Sequence, residues 1–349
     1  MMNYRQMLWA SALCGAVASA LVGADAPARA ADVKPIVVGG TLGLTGAFAG
    51  PSAEYKAVYD RWLEQINKAG GLLGRPVNMI IYNDESTPTT AQGLYNRLID
   101  QDHADLILAP LSTFVGGAIV PIVLSHNMLL FNGGFVGVKL FDDAKGSIIG
   151  TYTYQEPDYS RGVFDLIKTL PEQQRPKTVA ILTAQNPFTI VDREGSRGQG
   201  GALNFAKEAG MSVVVDEQYP PSTTDFTGLV QKAKAANADL LLELGLPNDE
   251  LQVARTVRQQ DYRPAMFCIC GSQMTTLPAW PKLGDAAEGV IGTTVAWPNQ
   301  PYAGLAELAA FFKGRGYEAL PTYGVVSQAV LEVMTQAVEG AKTLDQDKL

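Results

Sequence analysis

Histidine is scarce in this chain of 349 residues, which contains only His103 and His126. Neither follows a predicted strand, the position at which side chains of an α/β protein usually meet a ligand. The sequence has neither the G-x-S-x-G motif of serine hydrolases nor the H-E-x-x-H motif of zinc enzymes. Asp84 and Glu85 follow a predicted strand, and they are more typical of a solvated strand end than of an acid–base pair. We therefore expect neither an enzyme nor a cofactor.

Long apolar runs are also scarce. The most apolar one, Leu8 to Val22, follows Arg5 and precedes the A-x-A sequence Ala28-Arg29-Ala30. This order predicts a signal peptide over residues 1–30, with cleavage before Ala31. No later segment reaches the roughly 20 apolar residues of a membrane span. We expect an exported, soluble protein.

Cysteine is limited to three residues, and only Cys268 and Cys270 lie outside the predicted signal peptide. They are two apart in a predicted strand, so both side chains point to the same face of the sheet. A structural zinc site usually needs a second pair, and none exists. We expect both residues to be buried free thiols, with a strained bridge as the alternative.

Basic residues are outnumbered: 27 Lys and Arg stand against 35 Asp and Glu, which gives a net charge of −8. No basic patch is visible along the chain. A protein that binds nucleic acid or an anionic membrane surface usually needs one. We therefore expect neither partner.

Strands and helices alternate along the rest of the chain. Short, nearly continuous apolar runs such as residues 178–184 (TVAILTA) predict buried parallel strands. Segments such as Ala53–Ala69, with apolar residues three and four apart, predict helices. The pattern pauses near residues 150–158 and then repeats. It predicts two doubly wound α/β lobes, with residues 31–153 and 297–349 in lobe 1 and residues 154–296 in lobe 2.

A glycine-rich loop follows the first predicted strand, in the sequence GGTLGLTGAFAGPSAEYKAVY of residues 39–59. Its glycines Gly40, Gly43 and Gly46 are spaced G-x-x-G-x-x-G, which is not the dinucleotide pattern, and no G-K-[ST] follows. The loop therefore does not predict a nucleotide site. Two alternatives are a turn that needs positive φ angles and a wall kept small for another ligand.

Residues 37–91 resemble the branched-chain amino-acid-binding family of type I periplasmic solute-binding proteins. They carry its L-T-G loop at residues 44–46 and its I-N-x-A-G-G-x-x-G turn at residues 66–74. Weaker matches follow in order through the second lobe. The resemblance implies two Rossmann-like lobes joined by a hinge and closing on a ligand. It also implies a periplasmic receptor whose closed form docks on the permease subunits of an ABC transporter in the inner membrane.

Ligand-binding residues can be carried over from the resemblance. In the family, a hydroxyl residue at the helix start after the third strand binds the ligand carboxylate, and this chain offers Ser112 and Thr113. A helix N-terminus suits an anion, although Ser112 could also be a simple N-cap. After the fourth strand, Gly134 could keep a backbone contact, with Phe135 or Val136 near the position of the family's threonine.

In the second lobe, the resemblance points to Phe188 and Leu246, which stand at or near the family's tyrosine positions. The family's acidic partner for an α-amino group is replaced by Ser272 and its neighbour Gln273. A buried ammonium without a carboxylate or carbonyl partner is costly. These departures favour a carboxylate ligand with an apolar or aromatic body and no amine.

Phenylalanines could stack on such a body, and the candidates are Phe48, Phe114, Phe135 and Phe188. We expect about half of them to reach the cleft. Asp249 or Glu250 could still meet an amine, so amino acids are also candidate ligands. The loop GLTGAFAG, residues 43–50, would be one wall of the cleft, kept small for the ligand.

Family members usually continue beyond the last helix of this chain, so the C-terminal tail is expected to be missing. We expect a monomer. A ligand-sensing subunit of a signalling system is the alternative to transport, because one fold serves both roles.

Overall fold

The computed structural model describes residues 33–150, 155–271, 278–295 and 299–349. The predicted signal peptide lies outside these residues. So do the two predicted lobe boundaries, near residues 153 and 297, which stay a prediction.

The first sheet has five parallel strands in the order β2-β1-β3-β4-β5. Its strands are β1 (Ile36–Leu42), β2 (Val77–Asn83), β3 (Leu106–Leu108), β4 (Leu130–Asn132) and β5 (Ile148–Gly150). Helices α1 (Ala49–Lys68), α2 (Pro88–Asp100), α3 (Thr113–Ser125) and α4 (Val138–Ala144) lie between them in the chain. The central strand β3 is buried throughout, which explains its unbroken apolar sequence.

The second sheet also has five parallel strands, in the order β10-β9-β8-β6-β7. Its strands are β6 (Thr178–Ala184), β7 (Ser212–Tyr219), β8 (Leu240–Leu244), β9 (Met266–Ile269) and β10 (Val290–Gly292). The helices of this half are α5 (Arg161–Thr169), α6 (Pro187–Glu194), α7 (Ala202–Glu208), α8 (Thr227–Ala235) and α9 (Pro247–Gln259). The predicted fold of two doubly wound α/β lobes is confirmed.

The last two helices return to the first lobe. Helices α10 (Leu305–Lys313) and α11 (Thr322–Ala341) follow β10 in the chain. Their buried residues, among them Phe312 and Met334, share one apolar core with β1, β3 and β4. The chain therefore passes from lobe 1 to lobe 2 and back again.

The order of strands opens a crevice in each lobe. In the first sheet β2 and β3 flank β1, so the loops after β1 and β3 leave towards opposite faces of the sheet. The second sheet repeats this arrangement at β6 and β8. Four loops therefore frame the positions where an open α/β sheet binds its ligands.

Three elements were not expected from the sequence. Helix α4 and strand β5 are seven and three residues long, too short to show a clear period. Helix α6 lies in a segment whose sequence pattern predicts a loop. Its start does carry a sequence signal, because Asn186 is the N-cap and Pro187 the first helical residue.

The two cysteines of β9 form a disulfide bond in the structure. Cys268 and Cys270 are fully buried on the same face of the strand, and their Cα atoms are 5.7 Å apart. That distance lies within the usual range for a bridge. The expectation of free thiols is therefore wrong, although the shared face was predicted correctly.

None of the helices within the described ranges has the length and apolar character needed to cross a membrane.

Candidate functional site

A cleft of about 510 Å³ lies where the loops of the two lobes face each other. Lobe 1 and lobe 2 both contribute to its wall. The lining residues are Phe48, Leu111, Ser112, Thr113, Gly134, Phe135, Val136, Tyr159, Asn186, Phe188, Gly245, Leu246, Pro247, Gly271 and Tyr323.

Seven of the eight site residues named from the sequence line this one cleft. They are Phe48, Ser112, Thr113, Gly134, Phe135, Phe188 and Leu246. The eighth, Ser272, lies outside the described residues, and its neighbour Gly271 lines the cleft. The structure therefore brings together residues that are far apart in the chain. Their binding of a ligand stays a proposal.

Polar donors converge where α3 begins. Ser112 is the N-cap, and its Oγ accepts a hydrogen bond from the Val115 N–H at 3.3 Å. The N–H groups of Thr113 and Phe114 have no acceptor within the described part of the chain, as is usual at a helix start. An anion in the cleft could accept from these N–H groups and from the Ser112 hydroxyl. Ser112 can therefore be both a cap and a ligand contact.

Gly134 has a packing role that the resemblance did not reveal. Its N–H donates to Asn132 Oδ1, and its carbonyl accepts from the Ser112 N–H. Both backbone groups are therefore occupied within the lobe, which leaves no N–H to make the expected contact with a ligand. A Cβ at this position would lie 2.0 Å from the Pro110 carbonyl oxygen. Glycine is required here because two backbone segments touch.

The glycine-rich loop after β1 is small for a different reason than the one expected. A Cβ on Gly43 would lie 2.4 Å from Ser86 Oγ, and one on Gly46 would lie 2.7 Å from the Glu85 carbonyl oxygen. Gly46 also has a φ of +85°. These glycines accommodate the loop after β2. Within the loop, Phe48 is the residue that lines the cleft.

Aromatic side chains form much of the cleft wall. Phe48, Phe135 and Phe188 line it, as do Tyr159 and Tyr323. Phe188 and Tyr159 pack edge to face with their ring centroids 4.9 Å apart. Three of the four candidate phenylalanines therefore reach the cleft.

Phe114 is the exception among the predicted phenylalanines. Its side chain is 45% exposed and does not belong to the lining. As the second residue of α3, it is turned about 100° around the helix axis from Thr113, which does line the cleft. The prediction that the Phe114 ring could stack on a ligand is wrong for this structure.

No residue of the described cleft wall carries a charged side chain. The segments outside the described ranges that adjoin the two lobes, residues 151–154, 272–277 and 296–298, contain no Asp or Glu in their sequence. Asp249 and Glu250, the two acids kept as partners for an amine, lie in α9 behind the wall. Glu250 is fully buried, and Asp249 Oδ2 accepts from the Leu246 N–H at 3.1 Å.

Those acids belong to a buried cluster with Glu243 and Tyr219. The Tyr219 hydroxyl donates to Glu243 Oε1 at 2.5 Å and lies 3.4 Å from Asp249 Oδ2. Burial raises the pKa of Glu243 well above its ordinary value, and burial also raises the pKa of Asp249 to about 6. The cluster holds the loop that includes Gly245 and Leu246, and it therefore supports the wall from behind.

A second buried carboxyl group lies beside α3. Glu156 follows the first connection between the lobes and is 4% exposed. Its Oε2 accepts from the Val138 N–H at 3.2 Å, and the Thr113 hydroxyl is close enough to lower its pKa by hydrogen bonding. Burial outweighs both contacts and raises the pKa of Glu156 to about 7. Asp192 of α6, whose Oδ1 accepts from the Ser160 N–H, lies near this group and has a pKa raised by burial to about 8.

Glu156 should make folding stability depend on pH. The folded state binds its proton more tightly than the unfolded state, so this contribution is present below pH 4.5 and is lost as the pH rises to about 7. Glu156→Gln mimics the protonated group and should gain up to about 3 kcal/mol relative to the native chain across that window. Urea unfolding of both proteins at several pH values measures the difference. A difference that is constant with pH would contradict this prediction.

Two adjacent glycines of α3 offer a matched test of the wall. A Cβ on Gly116 would lie 2.6 Å from the ring of Phe135, whereas one on Gly117 would lie 3.8 Å from Leu140. Gly116→Ala should cost about 1–3 kcal/mol of stability by overpacking and should displace the Phe135 ring. Gly117→Ala should be neutral or stabilise by up to about 1 kcal/mol, because alanine favours the helix. Thermal unfolding of the two variants measures both changes in stability. Equal changes in Gly116→Ala and Gly117→Ala would contradict the prediction.

Several lining residues were missed from the sequence. Tyr159 comes from the connection between the lobes, and Tyr323 is the second residue of α11, far along the chain from the other lobe 1 residues. No local pattern marks either one as part of a site. Asn186 could have been found, because it is the N-cap of a helix that begins at a strand end.

Comparison with known proteins gives consistent results. The family model described as "Periplasmic binding protein" matches residues 35–349. The "Leu/Ile/Val-binding protein homolog 7" of Brucella abortus is 23% identical over 344 residues, covering 95% of this chain and 82% of the relative.

Solved structures share the fold. A solute-binding protein of an ABC transporter from R. palustris, in complex with 4-hydroxybenzoate, gives a TM-score of 0.75 at 18% identity, covering 90% of this chain and 83% of that one. A leucine-binding protein from Thermotoga maritima gives 0.73 at 18% identity, covering 90% and 85%.

Proposed function

Because this chain belongs to the periplasmic binding protein family, in the type I group that includes the Leu/Ile/Val-binding proteins, we propose that its cleft binds a small carboxylate without an amine. The favoured ligands have an aromatic or aliphatic body. The observation that carries the proposal is the cleft wall, which combines an anion-binding helix start with aromatic rings and has no charged side chain within the described residues.

The family itself establishes the coarser role. Its members are solute-binding receptors of ABC transporters, and they are not enzymes, so the expectation of a non-enzyme is confirmed. The family is extracytoplasmic, and it implies a small-molecule ligand and permease subunits as partners. A cleavable signal peptide over residues 1–30 and a monomeric state stay predictions.

The carboxylate would bind at the start of α3. The N–H groups of Thr113 and Phe114 and the Ser112 hydroxyl would donate to its oxygens. A helix N-terminus carries a partial positive charge, so the site needs no Lys or Arg to attract an anion. The partly buried position should strengthen these bonds, because the surroundings have a lower dielectric constant than water.

The body of the ligand would lie between aromatic rings of the two lobes. Phe48 and Phe135 come from lobe 1 and Phe188 comes from lobe 2. A ligand that contacts both sides would favour the closed arrangement of the lobes, since closure requires contacts that differ between the open and closed states. The closed form would then dock on the permease.

No charged side chain lines the described part of the cleft, so an amine would meet no anionic partner there. The acids next to lining residues, among them Glu156, Asp249 and Glu250, are buried and do not belong to the described lining. An ammonium group that leaves water without a hydrogen-bonding anion costs several kcal/mol. The proposed ligands therefore differ from the amino acids that several relatives are named for.

A thermal-shift screen tests the proposal. Mature protein is heated with aromatic acids, aliphatic acids, amino acids and short amides in separate wells. A ligand at 100 times its dissociation constant should stabilise the protein by about 2.7 kcal/mol. We expect shifts with aromatic or aliphatic acids. Shifts with leucine or phenylalanine and none with the acids would overturn the proposal.

A further inference from the structure

Asn186 is a polar side chain of lobe 2 that lines the cleft and is 7% exposed. Most of its hydrogen-bonding groups are already used. Its N–H donates to the Ala184 carbonyl, and its carbonyl accepts from the Ile190 N–H and the Thr189 hydroxyl. Its side-chain Oδ1 accepts from the Phe188 N–H at 3.0 Å. The one group left is the Nδ2 amide.

The orientation of this amide follows from chemistry. The Phe188 N–H is a donor and needs an acceptor, so the oxygen of the Asn186 side chain must face it. Nδ2 must then point the other way, and it has no acceptor within the ranges of the chain that the structure describes. Nδ2 keeps some exposure to the cleft, because it does not belong to the side-chain atoms that are both fully buried and unpartnered. A ligand that covers this donor without offering an acceptor would lose about 1–3 kcal/mol. Such a group in a binding cleft indicates a ligand atom that completes it.

The position of Asn186 suggests which part of the ligand this atom belongs to. Asn186 follows β6 in lobe 2, whereas the proposed carboxylate site is at the start of α3 in lobe 1. The two donor groups therefore belong to opposite lobes. A ligand whose carboxylate lies on lobe 1 would present its other end to lobe 2.

We propose that Asn186 is a specificity-determining residue whose Nδ2 donates a hydrogen bond to an oxygen acceptor at the end of the ligand remote from the carboxylate. This inference rests on the proposed function, and it narrows the ligand to an oxygen-substituted aromatic acid. The hydrogen bond joins the two lobes through the ligand. It therefore contributes to selection among carboxylates of similar shape.

A pair of nearly isosteric probes tests this role. 4-Methoxybenzoate and 4-ethylbenzoate differ by one ether oxygen in place of a methylene. 3-Methoxybenzoate and 3-ethylbenzoate carry the same two groups at the meta position of the ring. The ether oxygen can accept a hydrogen bond and cannot donate one. With the native protein, at least one methoxy acid should bind about tenfold more tightly than its ethyl partner, as one satisfied buried donor predicts. Isothermal titration calorimetry measures this ratio.

Two variants remove the proposed hydrogen bond from Nδ2 to the ligand and retain an N-cap oxygen at position 186. Asn186→Asp and Asn186→Ser both keep an oxygen that can accept from the Phe188 N–H, and both lack Nδ2. The methoxy-to-ethyl preference should disappear in both. The added charge of Asn186→Asp weakens all carboxylates, so the ratio, and not the affinity, is the readout.

The outcomes are distinct. Binding of the acids by the native protein with no preference in either pair overturns the role of Asn186 and leaves the proposed function standing. An unchanged preference in both variants overturns that role too. If none of the four acids binds to the native protein while amino acids do, both proposals are wrong.

Discussion

Ser112→Gly should weaken the binding of a carboxylate ligand by about ten- to hundredfold and leave the stability of the protein almost unchanged. The loss reflects one hydrogen bond to a charged group, which contributes about 1.5–3 kcal/mol. Stability should survive because glycine costs only a few tenths of a kcal/mol as an N-cap. Ser112 also has a φ of +83°, which glycine adopts without strain.

This variant distinguishes a binding residue from a simple cap. Calorimetry with benzoate gives the affinity, and thermal unfolding of the apo protein gives the stability. Ser112→Ala is the matched control, since it removes the same hydroxyl and retains the unfavourable φ angle. It should lose both affinity and about 1 kcal/mol of stability. Native affinity in the glycine variant would mean that Ser112 only caps α3.

Phe188→Ala should weaken aromatic acids by about ten- to hundredfold and aliphatic acids of the same charge much less. Phe188 lines the cleft from lobe 2 and packs against Tyr159. Its removal takes away an aromatic contact, and such a residue in a desolvated pocket typically contributes 2 kcal/mol or more, by a rough general rule. Phe188→Tyr should retain most of the affinity because the ring remains.

The control for this experiment is Phe311→Ala. Phe311 lies on α10, outside the cleft lining, where its ring packs against Phe312 and the guanidinium groups of Arg61 and Arg315. The variant should lose stability and keep its affinity for aromatic acids. Competition titrations with benzoate and hexanoate measure both classes of ligand. An equal loss for the two acids in Phe188→Ala would contradict a stacking role.

Much of the fold was predictable because the relevant signals are local. Buried parallel strands such as Leu106–Leu108 are short and continuously apolar, and helices such as Thr322–Ala341 repeat their apolar residues with a regular period. Helix α4 has seven residues, and its sequence carries too little pattern to be recognised. The order of the strands in each sheet then determines where the loops between strands and helices lie.

The candidate site was predictable in part for the same reason. Ser112, Phe135 and Leu246 follow strand ends, and the carboxyl ends of parallel strands meet at one edge of a sheet. Tyr323 could not be found this way, because it enters the cleft from a helix that packs against α1 through the core of the lobe. Long-range packing leaves no trace in the local pattern.

Side-chain direction was the other limit. Phe114 and Thr113 are neighbours in sequence, yet only Thr113 lines the cleft. Asp249 and Glu250 follow a strand end, as binding residues do, but α9 turns them behind the wall. Sequence position gives the loop, whereas the rotation of each residue about its helix decides what the loop presents to a ligand.

The most direct test of the central claim is a calorimetric titration with 3-phenylpropanoate and with phenylalanine, which differ only by the α-amino group. Because no charged side chain lines the cleft within the described residues, 3-phenylpropanoate should bind at least about a hundredfold more tightly than phenylalanine, whose ammonium would be buried without an anionic partner. Tighter binding of phenylalanine would contradict the account. It would mean that the cleft supplies a partner for an amine and that the ligand is an amino acid.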